Sequence, residues 1–424
     1  MHNAKTIVSV TPIRIRTDSR SFKIASSIAR FGYTSIVIEA EKSDLDRSKL
    51  PFELRSMAGT LPEFEAREET KIKGSPTAGL SAAFRRVYNA LLDSIPVFPI
   101  IPFLFRYLQR NIAQPLRSVP KASLYYVHGV TFFPIMNYLS KKHHAPLIYD
   151  AHDFYAGMRS PADFAKLNFG RRWITAFYRR LESQFVRKAA AVVTVSDGVA
   201  ELEEKTFGRR PIVVRNCHDV RLDQERSAHL RQVLGLSSDQ FILVAVGNAK
   251  EGAAIQEALD AIQETPGHVH LVFLGRFFEP HMKSIRSRRL EGRVHIVPPV
   301  KPFEVVPFIR SANASVILYY PRSVDYRNSL PNRFFQPLAA ELPILYPELP
   351  EIKKIAEKYE IGIPIDPQIP RSISDAVMKL VNDRSLVARY KRNLRVARDE
   401  VGWEREEMIL CGLISKALAQ VNAR

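Results

Sequence analysis

The sequence lacks several features that would define other classes of protein. Only two of its 424 residues are cysteines, which is too few for a disulfide framework or a four-thiolate zinc site and favours a reducing compartment. It has no run of about 18 consecutive apolar residues, as a membrane-spanning helix requires, and its first residues do not form the apolar core of a secretory signal. From these absences we expect a globular cytoplasmic protein.

Acidic residues are scarce relative to basic ones. The chain has 44 Asp and Glu against 62 Lys and Arg, and residues 1–215 account for most of the difference, with 33 basic and 19 acidic side chains. A basic half-molecule favours an anionic partner: nucleic acid, an acidic lipid surface or a phosphorylated substrate. Because no nucleic-acid-reading motif accompanies the charge, nucleic acid is the weakest of the three, and we expect none as a partner.

Short β-branched segments alternate with helix-like segments through both halves of the chain. Apolar strands separated by helices are typical of parallel sheets that are covered on both faces. The alternation breaks around residues 207–219 and then restarts. We therefore predict an α/β protein of two doubly wound, Rossmann-like domains that face a central cleft, with boundaries at 1–210 and 211–403.

One segment, residues 84–121, departs from the alternation. It combines aromatic and branched apolar residues, prolines and flanking arginines. It is too short and too rich in proline to span a bilayer, but aromatic residues beside cations suit insertion among lipid headgroups. The alternative is a helix pair whose apolar side covers the first sheet.

Ligands of open parallel sheets bind at the carboxyl ends of the strands. The strand that ends at Tyr149 is followed by Asp150, His152 and Asp153, which makes His152 a catalytic candidate, with a purely structural hydrogen-bonding role as the alternative. His128 also ends a strand, and for it we favour the structural role.

Glycine turns follow two strands of the second half. Gly247 and Gly252 permit close backbone approach, and Lys250 between them supplies a cation, so this turn could bind phosphate. Arg276 follows the next strand and could bind a diphosphate through two hydrogen bonds. The alternatives are an ordinary strand-to-helix turn and a surface arginine.

The stretch from Tyr326 to Pro343, YRNSLPNRFFQPLAAELP, predicts a helix that begins near Asn332 or Arg333. Pro337 would be tolerated only within the first turn, where amides have no helical partners. The backbone N–H groups at such a helix start can bind an anion. A capped helix after an edge strand is the alternative.

Four stretches resemble the retaining glycosyltransferases of family four, which have the GT-B fold. They are residues 18–33 (DSRSFKIASSIARFGY), 148–155 (IYDAHDFY), 181–219 and 328–345 (NSLPNRFFQPLAAELPIL). The resemblance implies that the C-terminal domain binds the nucleotide-sugar donor, that the basic N-terminal domain binds the acceptor, and that a helix at 404–424 packs on the N-terminal domain.

The same resemblance assigns roles to individual residues. It places His152 and Asn328 at the reacting sugar and Asp18 and Arg20 at the acceptor. The donor-binding set is Gly247, Lys250, Gly252, Arg276, Ser329, Leu330, Asn332, Arg333 and Gln336.

This sequence departs from the family at four positions. Asn328 and Gln336 stand where the family often has two glutamates seven residues apart, and Asn248 and Glu251 replace an arginine and a lysine of the glycine turn. An amide can still donate and accept hydrogen bonds, although it binds two hydroxyls less strongly than a carboxylate does.

No pair of aspartates forms a dedicated ion site, so we expect no metal cofactor. Lys250, Arg276 and Arg333 would instead stabilise the departing diphosphate. The predicted function is metal-independent, retaining hexosyl transfer from a nucleotide sugar to a glycan or lipid-linked acceptor in surface polysaccharide assembly, at the inner face of the membrane. The alternatives are a nucleotide-sugar-binding protein that does not catalyse transfer and a basic nucleic-acid-binding protein.

Overall fold

The computed structural model describes most of the chain. The described residues are 4–57, 100, 104, 108, 112–155, 167, 169–249, 252–320 and 323–422. Most of the segment 84–121 lies outside them, as do Lys250 and Glu251, so the expectations for these positions stay predictions. No helix in the described ranges is long and apolar enough to cross a membrane.

The chain divides into two compact units. Unit 1 comprises Met1–Thr194, Leu202–Ile212 and Cys411–Arg424, and unit 2 comprises Val195–Glu201 and Val213–Leu410. The boundaries predicted from the sequence, and the packing of helix 404–424 on the N-terminal domain, stay predictions.

The secondary structure alternates between strands and helices. The strands are β1 Thr6–Thr11, β2 Thr34–Glu39, β3 Glu53–Ser56, β4 Leu124–His128, β5 Leu147–Asp150, β6 Ala191–Thr194, β7 Ile212–Val213, β8 Phe241–Val246, β9 Val269–Leu274, β10 Val294–Val297, β11 Ala314–Val316, β12 Ile344–Pro347 and β13 Gly362–Ile365. The helices are α1 Ser19–Arg30, α2 Gln114–Ser118, α3 Phe133–Lys142, α4 Phe169–Lys188, α5 Asp197–Phe207, α6 Leu230–Val233, α7 Ile255–Gln263, α8 Met282–Ser287, α9 Val305–Ile309, α10 Val324–Asn328, α11 Asn332–Ala339, α12 Pro350–Tyr359, α13 Pro370–Asn382, α14 Arg384–Glu400 and α15 Trp403–Asn422.

The first sheet has seven strands in the order β3-β2-β1-β4-β5-β6-β7. Every residue of β4 and β5 is buried, as expected for central strands that are covered on both faces. The strand order reverses between β1 and β4, where doubly wound sheets bind their ligands. The ends of β4 and β5 are in register, with His128 opposite Asp150, so their terminal side chains lie side by side near this point.

The second sheet has six strands in the order β10-β9-β8-β11-β12-β13. All six residues of β8 are buried, and its registered neighbours are parallel to it. The strand order reverses between β8 and β11, which places the turn at Gly247 beside the switch point. The predicted α/β fold of two doubly wound, Rossmann-like domains is confirmed.

Helix α11 begins at Asn332, as predicted, but the prediction for Pro337 was wrong. Pro337 is the sixth residue of the helix rather than part of its first turn. Its missing N–H removes the bond to the carbonyl of Arg333, at a cost of about 3 kcal/mol. Phe334 and Phe335 are almost fully buried. Burial of each side chain stabilises the fold by about 1.5–3 kcal/mol, which offsets that cost. Tertiary packing therefore overrides the local preference.

Candidate functional site

In unit 1, a buried carboxylate at the end of β5 organises a polar cluster. Both Asp150 and Arg20 are buried, and Nη2 of Arg20 donates to Oδ1 of Asp150 at 2.8 Å, while Nε lies 3.0 Å from Oδ2. The hydroxyl of Tyr126 donates to Oδ2 at 3.2 Å. We call Arg20, Tyr126, His128, Asp150 and His152 the Asp150 cluster.

The two histidines of the cluster contact each other and the carboxylate. Nδ1 of His128 lies 2.9 Å from Nε2 of His152 and 3.3 Å from Oδ2 of Asp150. These three side chains are close enough together to hold a metal ion. However, Asp150 already forms an ion pair with Arg20, and the contact between the imidazoles has the length of an N–H···N hydrogen bond. We therefore describe the group as hydrogen-bonded.

The electrostatics of the cluster keep Asp150 charged and His152 neutral. Burial alone would raise the pKa of Asp150, but the guanidinium of Arg20 holds it well below its usual range. Burial lowers the pKa of His152 and outweighs the attraction of Asp150, which opposes it. At neutral pH the imidazole of His152 can therefore exchange hydrogen bonds without carrying charge.

Asp18, predicted to bind the acceptor, caps α1 and is buried. Its carboxylate accepts from the backbone N–H of Ser21 at 3.0 Å and from the hydroxyl of Thr11 at 2.9 Å. Burial would raise the pKa of Asp18, but His152 and His128, together with the bonds from Ser21, lower it. Asp18 and Arg20 thus make protein contacts around the cluster, and direct binding of the acceptor stays a prediction.

In unit 2, the turn that follows β8 is packed against an arginine. Gly247 has φ +110°, and a Cβ added there would lie 3.1 Å from Nη2 of Arg333. The guanidinium therefore lies directly over the turn. The side chain of Asn248 accepts from the backbone N–H of Arg276 at 3.0 Å, which links the two glycine turns.

Arg333 is one of the residues that line a pocket in unit 2. Its guanidinium carbon lies 5.2 Å from the ring centre of Tyr319, and within the described ranges no carboxylate forms an ion pair with it. Burial lowers the pKa of Arg333, although a guanidinium stays protonated at any physiological pH. Gly247, Asn248, Ala253 and Arg333 are among the residues that line the pocket.

The other predicted donor-binding residues differ from one another in exposure and in their contacts. The side chain of Arg276 is exposed, and Leu330 is buried in a hydrophobic cluster, so that only its backbone can bind a ligand. The side chain of Asn332 accepts from Asn216 at 2.8 Å. Gly252 has φ +87° and lies beside Ala253 of the pocket wall, and Gln336 is half-buried on α11.

Asn328, which was predicted to act on the sugar, is the last residue of α10. Both its side chain and its backbone form hydrogen bonds within unit 2. Its side-chain amide donates to the carbonyl of Val324 at 2.7 Å, and its own carbonyl accepts from the hydroxyl of Ser196 at 2.6 Å. The hydroxyl of Ser329, the next residue, lies 3.4 Å from the carbonyl of Tyr326. The amide of Asn328 is therefore partly occupied within its own helix.

Sequence reasoning missed Tyr319 and Gly275. β11 ends at Val316, three residues before Tyr319, and no motif in the sequence marks this tyrosine. A Cβ on Gly275 would lie 2.3 Å from the carbonyl oxygen of Gly247. The glycine in the sequence LGRF was the only available signal for this close approach.

Replacing Gly275 with alanine should therefore displace the Gly247 turn. We expect a loss of about 1–3 kcal/mol in the free energy of unfolding and weaker nucleotide binding, measured by urea denaturation and calorimetry. Gly267→Ala is the matched control, because nothing lies within 4 Å of a Cβ there. Equal behaviour of the two variants would contradict the expected backbone clash.

Comparisons with known proteins agree with the fold. The family model described as a glycosyl transferase 4-like domain matches residues 74–217, and the model for glycosyl transferases group 1 matches residues 227–396. The two models together match well over half of the chain. No curated protein matches the sequence.

Solved structures match nearly the whole chain at low sequence identity. HepE from Anabaena, in complex with UDP-glucose, is 14% identical, with a TM-score of 0.66 over 97% of this chain and 100% of its own. Sucrose-phosphate synthase from Thermosynechococcus elongatus is 13% identical, with a TM-score of 0.66 over 98% and 100%. WaaG, a glycosyltransferase involved in lipopolysaccharide biosynthesis, is 14% identical, with a TM-score of 0.57 over 95% and 99%.

These structural matches define the class of fold, which is GT-B. The family models, in addition, identify the family of the chain. The chain belongs to the group 1 glycosyltransferases, and the protein is a glycosyltransferase.

Proposed function

We propose that the protein transfers a hexose from a nucleoside-diphosphate sugar to a glycan or lipid-linked acceptor, with retention of configuration and without a metal ion. The observation that carries this proposal is the guanidinium of Arg333, which lies over the Gly247 turn and has no carboxylate partner within the described ranges. HepE, which shares the fold, was solved with UDP-glucose, and this supports a nucleotide sugar as the donor.

Breaking the bond between the sugar and the diphosphate leaves negative charge on the phosphate oxygens. A fixed cation and oriented backbone N–H groups stabilise that charge most strongly in the transition state. Arg333 supplies the cation, the Gly247 turn allows the backbone to approach closely, and the first turn of α11 adds N–H groups that lack helical partners. Lys250 would add a second cation at the same turn.

His152 takes a hydrogen-bonding role at the sugar. Its side chain is 23% exposed at the end of β5, so a ligand can reach it, and its neutral imidazole can orient a sugar hydroxyl or a phosphate oxygen. Asn328 would act near the same sugar through its amide.

Donor identity and metal dependence can be tested together. We expect one of the UDP-, GDP- or ADP-sugars to raise the thermal midpoint, because a bound donor stabilises the fold by mass action. Turnover of that donor should be unchanged after treatment with EDTA, and NMR should show a product with the anomeric configuration of the donor. Loss of activity with EDTA and its return with a divalent ion would overturn metal independence, and an inverted product would overturn retention.

A second candidate is a protein that binds nucleotide sugars without transferring the sugar. It is favoured by the amides at positions 328 and 336 and by the bond from the Asn328 side chain to the carbonyl of Val324. Tight donor binding without transfer or hydrolysis would support this candidate.

The acceptor is proposed to lie at an anionic membrane surface, as in surface polysaccharide assembly. The support is the basic excess of residues 1–215 and the aromatic and cationic composition of the segment 84–121. We expect the protein to float with vesicles of anionic lipid and not with neutral ones. Polar substitutions across residues 95–107 should abolish flotation, and equal flotation of both forms would argue against insertion by this segment.

A further inference from the structure

His128 is a fully buried titratable residue that the mechanism above leaves without a role. It ends β4 next to Asp150, and its ring lies edge-on to that of His152, with an interplanar angle of 84°. The position of the proton on the imidazole of His128 determines which hydrogen bonds His152 can form.

The surroundings of His128 place that proton on Nδ1. The carboxylate oxygen Oδ2 of Asp150 lies 3.3 Å from Nδ1, and a lone pair at Nδ1 would face the lone pairs of this oxygen. Nε2 is buried and has no hydrogen-bond partner among the described residues. A proton on Nε2 would be a buried donor without an acceptor among the described residues, which is unfavourable.

A proton on Nδ1 of His128 then fixes the form of His152. Nε2 of His152 lies 2.9 Å from Nδ1 of His128, so it must accept the hydrogen bond, because two N–H groups cannot point at each other. The single ring proton of neutral His152 is left on Nδ1. No hydrogen bond from Nδ1 of His152 is formed within the described part of the chain, so this N–H can donate to a ligand.

We propose that His128 is a positioning residue that holds His152 in its Nδ1-protonated form, so that His152 presents an N–H donor to an oxygen of the bound nucleotide sugar. This inference rests on the proposed function for the identity of the ligand, but not for the position of the protons. It explains why a buried histidine lies between the carboxylate and the partly exposed imidazole of His152. Asp150 orients His128, and His128 orients His152.

The first test reads the protons directly and needs no substrate. Full-length protein labelled with ¹⁵N in its histidine rings is examined by two-bond ¹⁵N–¹H correlation, with His152→Gln used to assign the His152 signals. We expect wild-type His152 to be protonated on Nδ1, and to shift towards the Nε2-protonated form in His128→Phe. A wild-type His152 protonated on Nε2 would overturn the proposal, even if the enzyme is active. One equivalent of tightly bound zinc in the purified protein would also overturn it.

The second test separates positioning from packing. His128→Asn can keep an N–H donor near the place of Nδ1, whereas His128→Phe keeps the bulk and removes the donor. We expect kcat to fall by about 10- to 100-fold in His128→Phe, with the KM for the donor little changed, and to recover largely in His128→Asn. Equal kcat values for the two variants would contradict the proposal.

If no sugar donor supports turnover, the proposed function fails, but the NMR measurement still decides the role of His128. Because His128 is fully buried, His128→Phe is compared with wild type by circular dichroism before its kinetics are interpreted. If it does not fold, the wild-type spectrum and His128→Asn still test the assignment.

Discussion

Arg333→Ala should lower kcat by about 100- to 1000-fold while leaving the fold intact. This is the usual effect of removing one group that stabilises charge in a transition state. The guanidinium lies over the Gly247 turn and forms no ion pair within the described ranges, so its removal leaves no buried carboxylate there uncompensated. The measurement is steady-state transfer with the donor found by thermal shift, and replacing Lys250 in addition should abolish turnover.

Arg371→Ala is a matched control from the same unit. Arg371 is highly exposed and pairs with Asp375 on its own helix, so its loss should change neither kcat nor the thermal midpoint. Arg333→Lys should retain part of the rate, because it keeps the charge but loses the planar, bidentate geometry. A rate within about twofold of wild type for Arg333→Ala would remove Arg333 from the mechanism and the main support for metal-independent transfer.

The fold was largely predictable, because its central strands carry a strong local signal. The buried strand β8, for example, is a continuous apolar run, and continuous runs bounded by turns indicate buried parallel strands. The edge strand β3, Glu53–Ser56, was missed because it is short and alternates buried and exposed residues. The prediction for Pro337 was wrong because the burial of its neighbours on α11 stabilises the proline inside the helix. Rules based on local sequence do not include that burial.

The candidate site was predictable as a set of residues but not as a set of contacts. The glycine turn and Arg333 were each identified from their own sequence context. The guanidinium of Arg333 lies over Gly247, which is 86 residues earlier in the chain. This contact depends on the sheet order β8-β11. Asp150 was identified only as an acid beside the candidate His152 at the end of a strand. The structure instead makes it the counterion of Arg20, which is 130 residues away in the chain, and no local pattern links two such positions.

Arg20→Met should destabilise the protein by about 3–5 kcal/mol, the usual cost of leaving one charge of a buried pair without its partner. Asp150 is fully buried and Arg20 nearly so. Urea denaturation followed by circular dichroism measures the effect. Arg16→Met is the control, because the pair between Arg16 and Asp44 is exposed and its loss should hardly move the midpoint. Similar midpoints for the two variants would contradict the role of the buried pair.

The destabilisation caused by Arg20→Met should depend on pH in a defined direction. In the wild-type protein the pKa of Asp150 is lowered on folding, so the stabilisation by its charge is fully present above the unfolded value of about 4 and declines as the pH falls below it. In Arg20→Met, burial dominates and raises the pKa of Asp150. Protonation of this carboxylate at low pH then removes the uncompensated buried charge and lessens the destabilisation. Protonation of His152, which faces the same carboxylate, acts in the same direction. The difference in unfolding free energy between wild type and Arg20→Met should therefore shrink between about pH 5 and pH 3. A difference that stays constant over this range would show that the loss comes from packing around the arginine side chain rather than from the uncompensated charge of Asp150.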